Sequence, residues 1–140
     1  MNSINGFKYE YDFLSNMYEC PITFNGMYFM STEAAYQSCK CKHKNDALVF
    51  EKLSGKEAKR HSKMIYVRSD WNNIKYNIMS QLVFQKFLLH KDLRERLLFT
   101  DDMYIEETNT WNDTYWGVCN DVGENNLGKI LMKTRKYFKK

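Results

Sequence analysis

ITFNGMYFMSTEAAYQSCK, residues 22–40, is the stretch that organises the chain. It begins with Asn25-Gly26 set between alternating apolar residues. That is a hairpin signal, because a two-residue turn asks both of its residues to accept positive φ. Pro21 stands at the entrance of the first strand, where its missing N–H does least harm. Ser31 or Thr32 then caps a helix, with Glu33 in the first turn on the favourable side of the helix dipole. The stripes of that helix are unusual. At about 100° per residue, Glu33, Tyr36, Gln37 and Lys40 share one arc, which a globular helix ordinarily fills with aliphatic side chains. The opposite arc, Ala34, Ala35, Ser38 and Cys39, is small and suited to close packing. Either the polar stripe is solvated or it lines a cleft where polar groups converge on a ligand. Spacing alone favours the first: an exposed Glu33–Lys40 pair two turns apart is ordinary, and worth roughly a few tenths of a kcal/mol.

Working outward, helical pieces are expected at about 45–53 and 55–64. From Trp71 to Leu89 the periodicity is clear, with Trp71, Ile74, Ile78 and Leu82 on one stripe and Met79, Val83 and Phe87 beside it. A helix at about 91–99 turns Leu93 and Leu97 inward and Arg94, Glu95 and Arg96 outward. MYIEE (103–107) reads as a short strand, NTWNDTYWGVCNDVGENN as a long loop, and LGKILMKTRKYF as a closing helix. Strands and helices do not alternate at βαβ spacing, so the fold class is α+β: a helix-rich domain with a small, largely antiparallel sheet. With 140 residues and no repeats or linkers, one domain over 1–140 is expected.

Composition narrows the class further. No apolar run reaches the roughly 18 residues of a membrane-spanning helix. MNSINGFKYEYDF at the start lacks the basic and apolar regions of a secretory signal, so a cytoplasmic location without membrane contact is expected. Cys20, Cys39, Cys41 and Cys119 show no disulfide-scaffold pattern. Cys39, Cys41 and His43 alternate like a metal clip, but helical residues two apart point to different sides, so reduced thiols and no metal are expected. The net charge of +4 concentrates in 52–68 (KLSGKEAKRHSKMIYVR) and in the tail, a surface compatible with phosphate or nucleic acid.

GENNLGKI (123–130) imitates a phosphate-binding loop. Ile130 replaces its magnesium-holding hydroxyl, however, and the preceding WGVCNDV is not a buried strand. What survives is a glycine-rich loop feeding a helix. The long loop supplies Asp113, Trp116, Asn120 and Asn125, and the segment before the core helix supplies Arg68, Asp70 and Trp71. Indoles beside amides and acids suit a planar, hydrogen-bonding ligand such as a nucleobase.

In this setting several blocks resemble the NADAR, or YbiA-like, family. FLSNMYECPITFNG (13–26) is similar to its Phe-Leu-Ser-Asn-Phe-Tyr opening, and STEAAYQSCK to its Ser-x-Glu-His-x-Tyr-Gln-x-x-Lys block. RSDW (68–71) with Lys75 and Met79 resembles its Arg-x-Asp-Trp-x-x-x-Lys-x-x-x-Met segment. YIEE, NDTYWG (112–117) and GENNLGKILMKTR (123–135) resemble its closing blocks, so the resemblance runs from about residue 6 to 137. There are departures. Ala34 stands where the family usually has His, Met17 stands for Phe, and ETNTWN lengthens the approach to NDTYWG.

The resemblance implies a compact helix-rich fold and N-glycosidic chemistry at a ribose: removal of ADP-ribose from ADP-ribosylated guanine in DNA, RNA or nucleoside. It leaves open cleavage of a ribosylaminopyrimidine phosphate of riboflavin biosynthesis. A non-catalytic module that binds ADP-ribose or a nucleotide is a further alternative. On this resemblance the catalytic candidates are Lys40 as nucleophile, Glu33 as proton carrier and Asp113 as a secondary carboxylate. Asn16, Tyr36, Gln37, Arg68, Trp71, Glu106, Trp116, Gly117, Gly123, Asn125 and Gly128 would hold the substrate. No cofactor and no obligate protein partner is implied.

Overall fold

The computed structural model describes residues 3–139. In chain order its elements are β1 (Ser3–Asn5), β2 (Glu19–Phe24), β3 (Met27–Ser31), α1 (Thr32–Ser38), α2 (Lys44–Ala47), α3 (Gly55–His61), α4 (Trp71–Leu89), α5 (Lys91–Phe99), β4 (Tyr104–Glu106) and α6 (Asn126–Phe138). Short 3-10 turns lie at 9–14, 48–52 and 62–64. The elements gather into two compact units, one of residues 16–89 and the other joining the N-terminal residues through Ser15 to those from His90 onward.

In the 16–89 unit, β2 and β3 form the expected hairpin. Asn25 and Gly26 take φ of 54° and 75°, the left-handed values that the two-residue turn needs. Ile22 pairs with Phe29 and Phe24 with Met27, so Ile22, Met27 and Phe29 go to the core while Thr23 and Tyr28 stay exposed. The pairing is irregular between Glu19 and Ile22. Pro21 therefore sits inside the strand at a bulge, one step further in than its expected place at the entrance, where no ladder bond has to come from its nitrogen.

Strand β3 runs straight into α1. Ser31 caps the helix, its hydroxyl accepting from the Ala34 N–H at 3.1 Å. A reciprocal capping box starts α3: the Glu57 N–H donates to Ser54 Oγ, and Glu57 Oε1 accepts from the Ser54 N–H. Helix α4 has the bounds its periodicity predicts. Trp71, Met79, Leu82, Val83 and Phe87 are buried, while Ile74 and Ile78 are only half-buried. Helix α1 packs against the hairpin, α3 and α4, with Ala34 and Ala35 fully enclosed. Their small side chains allow that close approach.

In the other unit, β1 pairs in parallel with β4, placing the buried Ile4 beside the buried Ile105. This strand goes unread in the sequence because three residues with one aliphatic side chain carry no usable periodicity. The helix-rich α+β class holds, and its strands form two separate two-stranded sheets, the hairpin antiparallel and the β1–β4 pair parallel. Helix α6 packs on β4 and α5 through Leu127, Ile130 and Leu131. Arg135, also buried, donates to Thr100 Oγ1 and to the Met103 carbonyl, both at 2.9 Å. Among the described residues no helix is long and apolar enough to cross a membrane.

Candidate active site

The stripe on α1 is buried, not solvated. Glu33 is 8 % exposed, and Tyr36 and Gln37 are each 5 % exposed. Lys40, just beyond the helix, is half-buried. Since Ala34, Ala35, Ser38 and Cys39 are buried too, α1 is enclosed on all sides, and its polar residues need partners inside the protein.

Those partners come from α1 itself and from the start of α4. Gln37 Nε2 donates to Glu33 Oε2 at 2.6 Å, one helical turn back. The Tyr36 and Trp71 rings meet at 5.1 Å between centroids with a 55° tilt. Lys40 Nζ lies 5.9 Å from the centroid of the Trp71 ring. Asn16 joins from the chain before the hairpin: its carbonyl accepts the Glu33 N–H at 2.9 Å, and its side-chain amide contacts Met79 Sδ at 3.3 Å. Acid, amide, phenol, amine and indole are thus gathered along α1 and its C-terminal end.

Burial pushes the Lys40 ammonium below its ordinary value. The negative charge of Glu33 opposes this, while the positive charges of Lys75 and Lys59 add to it. The net result raises the share of neutral amine, the form with a free lone pair, above that of an ordinary lysine. Sequence reasoning did not single out Lys75 or Lys59 as site residues. Lys75 was legible only as part of the Trp-x-x-x-Lys spacing that places it one turn beyond Trp71.

Arg68 takes a different position. Its backbone N–H donates to the Lys40 carbonyl at 2.9 Å. Its guanidinium, however, pairs with Asp70 through bonds of 2.7 and 3.1 Å. The side chain lines a separate cleft of about 380 Å³ with Ser38, Cys39, Cys41 and Lys42, which none of Glu33, Tyr36, Gln37 or Lys40 lines. Burial pushes the Cys39 thiol there up to about 11, so it stays protonated at neutral pH.

The candidates in the other unit are engaged in holding the long loop. Asp113 Oδ1 accepts from the N–H groups of Tyr115 and Trp116 at 3.1 and 2.9 Å. Trp116 is half-buried, its ring edge-on to Tyr115 at 4.7 Å. Asn125, 2 % exposed, accepts from the Glu107 N–H at 2.9 Å and donates to the Ile105 carbonyl at 2.9 Å and to the Tyr104 hydroxyl at 3.1 Å. Both ends of its amide bind β4 and the chain just after it, so this side chain ties the start of α6 to β4. A Cβ on Gly128 would meet the Ile105 carbonyl, and one on Gly117 would meet Glu107. Gly123, at φ 155°, approaches the Gly117 carbonyl in the same way. Glu106 Oε2 accepts from the Thr108 hydroxyl at 2.6 Å.

The NADAR domain model matches residues 5–139, running across both units. The chain belongs to the NADAR family. It is 32 % identical over 136 residues to N-glycosidase Npun_R5314 of Nostoc punctiforme, covering 92 % of this chain and 86 % of that protein. It is 35 % identical over 131 residues to the riboflavin biosynthesis protein VVA0006 of Vibrio vulnificus, covering 89 % of this chain and only 35 % of that longer protein. The solution structure of YbiA from E. coli superposes with a TM-score of 0.84 at 27 % identity, covering 98 % of this chain and 85 % of the other. The NADAR membership, with relatives named as N-glycosidases, supports the coarse class of a hydrolase acting on an N-glycosidic bond of a nucleoside-type substrate. Within this NADAR chain, the α1 stripe brings an acid, an amide and an amine together.

Proposed function

We propose that this NADAR protein removes ADP-ribose from ADP-ribosylated guanine, in nucleic acid or nucleoside, by cleaving the bond between guanine and the anomeric carbon of the ribose. The observation that carries the reading is the half-buried Lys40 amine, below its ordinary pKa and over the Trp71 ring, on the same stripe as the Gln37-braced Glu33.

The neutral Lys40 amine attacks the anomeric carbon as the bond to guanine breaks, and guanine leaves with a proton supplied by Glu33. The lysine–sugar adduct loses a proton from its nitrogen. It then opens as the ring C–O bond breaks and the ring oxygen is protonated, leaving a protonated Schiff base. Water adds to that carbon, the C–N bond to Lys40 breaks, and free ADP-ribose and the amine are restored. The Glu33 carboxylate stabilises the cationic stages. The Trp71 ring, packed on Tyr36, forms an aromatic wall beside the Lys40 amine.

A polymeric substrate is supported by the exposed cations Lys56, Lys59, Arg60 and Lys63 in and after α3. The Vibrio relative's name favours a second reading, cleavage of a ribosylaminopyrimidine phosphate. The deciding experiment offers both substrates to the protein and reads product masses. Release of ADP-ribose from the guanine oligonucleotide, absent in Lys40→Ala, supports the proposal. Turnover of the pyrimidine alone replaces it with the second reading. Binding of ADP-ribose with no turnover of either would make the chain a binding module.

A further inference from the structure

Gln37 carries a feature that the cleavage steps do not use. Its Nε2 is fixed on Glu33 Oε2 at 2.6 Å, and because an amide nitrogen only donates, the amide is held with Oε1 facing away from that oxygen. Among the described residues no donor reaches that oxygen, which is itself enclosed in a residue only 5 % exposed, so a ligand donor meets it only where the stripe opens to admit the substrate. A buried acceptor without a partner is uncommon and costly. Gln37 also stands between the two reacting groups, four residues after Glu33 and three before Lys40. Within α1, neighbours at the Glu33–Gln37 spacing are about 5–6 Å apart at Cβ, and Lys40 follows just past the helix cap. A bond attacked by Lys40 and protonated by Glu33 lies along the stripe that Gln37 shares.

We infer that Gln37 Oε1 accepts a hydrogen bond from the 2′-hydroxyl of the sugar being cleaved, and that this contact makes the enzyme selective for ribosyl over 2′-deoxyribosyl bonds. The inference rests on the hydrolase reading above. The 2′-hydroxyl is the donor next to the anomeric carbon, so it arrives at Gln37 when that carbon arrives at Lys40. The selectivity has a use. An ADP-ribosylated guanine in DNA carries two bonds to sugars, one to the ribose of ADP-ribose and one to its own backbone deoxyribose. Only the first has the hydroxyl. Cleaving the second would leave an abasic site.

The test is a cycle of two proteins and two substrates. Wild type and Gln37→Met are each given an oligodeoxynucleotide bearing ADP-ribosylguanine, and its analogue lacking the 2′-hydroxyl on the ribose joined to guanine. Taking the ratio of ratios cancels the intrinsic lability of deoxy sugars and the common loss of the Gln37–Glu33 bond. We expect the wild-type preference for the hydroxylated substrate to exceed the variant's by about tenfold in kcat/KM. A ratio near one, with wild type active, overturns the inference and leaves the hydrolase reading standing. No turnover by wild type overturns the hydrolase reading itself, and this inference with it. A second readout needs no variant: wild type should bind ADP-ribose about tenfold more tightly than the product lacking that hydroxyl. Equal affinity overturns the contact.

Discussion

Lys40 Nζ lies 5.9 Å from the centroid of the Trp71 ring, at the junction between the end of α1 and the start of α4. The indole removes water from one side of the amine and offers a π face to its charged form. Burial is the largest influence on its pKa, ahead of the opposing charge of Glu33.

That balance predicts a pH profile. Lys40 is neutral at pH values where an ordinary lysine, near 10.5, is still charged. kcat/KM should therefore be lost as pH falls through the lowered value and Lys40 takes up its proton. Stability follows the same sign: between the folded value and 10.5 the unfolded chain binds the extra proton, so stability increases with pH across that window. Lys40→Arg should abolish the rising limb and reduce kcat by about a thousandfold or more. Borohydride added during turnover should fix a sugar adduct on Lys40 in wild type, visible by peptide mass. Its absence while turnover continues would reject the Schiff-base route.

Glu33→Gln should separate chemistry from folding. The new amide still offers an oxygen to Gln37 Nε2, so the bond that orders the stripe is retained in weaker form. We expect kcat to fall about 10²- to 10⁴-fold with little change in Tm. A large drop in Tm with normal kcat would make Glu33 a structural residue.

Asp113 holds the backbone of the long loop through one oxygen, and that predicts how its substitutions divide. Asp113→Asn keeps an acceptor at that position and should retain most activity. Asp113→Ala leaves the Tyr115 and Trp116 N–H groups without their acceptor and should cost about 1–3 kcal/mol in denaturant unfolding. A hundredfold loss of kcat in the Asn variant, with normal stability, would instead return Asp113 to the chemistry.

The glycine-rich segment before α6 should respond as packing, not as a phosphate site. Gly128→Ala drives a Cβ into the Ile105 carbonyl, and Asn125→Ala removes an acceptor and two donors from a 2 % exposed position. Each should destabilise the protein by about 2–4 kcal/mol. Unchanged stability with weaker binding of inorganic phosphate or pyrophosphate would contradict this.

Charge reversal on and after α3 tests substrate size. Lys56→Glu, Arg60→Glu and Lys63→Glu together should raise KM for an ADP-ribosylated oligonucleotide and flatten its salt dependence, while leaving turnover of the mononucleoside unchanged. Lys59 is left alone because its charge acts on Lys40. Equal KM for both substrates in wild type and variant would favour a small nucleotide.

The sequence by itself determined the elements set by local backbone chemistry. The Asn25-Gly26 turn, the Ser31 cap and the Trp71–Leu89 helix all follow from φ preference, capping and 3.6-residue periodicity, each read within a few neighbouring residues. It also determined which residues share the α1 stripe. Whether that stripe met water or protein was not a local matter, and on spacing alone the solvated reading was the better one. Tertiary packing decided it, by enclosing α1 with the hairpin, α3 and α4 and by setting Trp71 beside Tyr36 and Lys40. The same reason accounts for Gly128 and Asn125: they lie in a segment whose spacing imitates a phosphate loop, and the Ile105 carbonyl they meet is brought close only by the fold. Periodicity tells which side chains face the same way; burial, and hence the pKa of Lys40 and the unpartnered oxygen of Gln37, depends on what comes to face them.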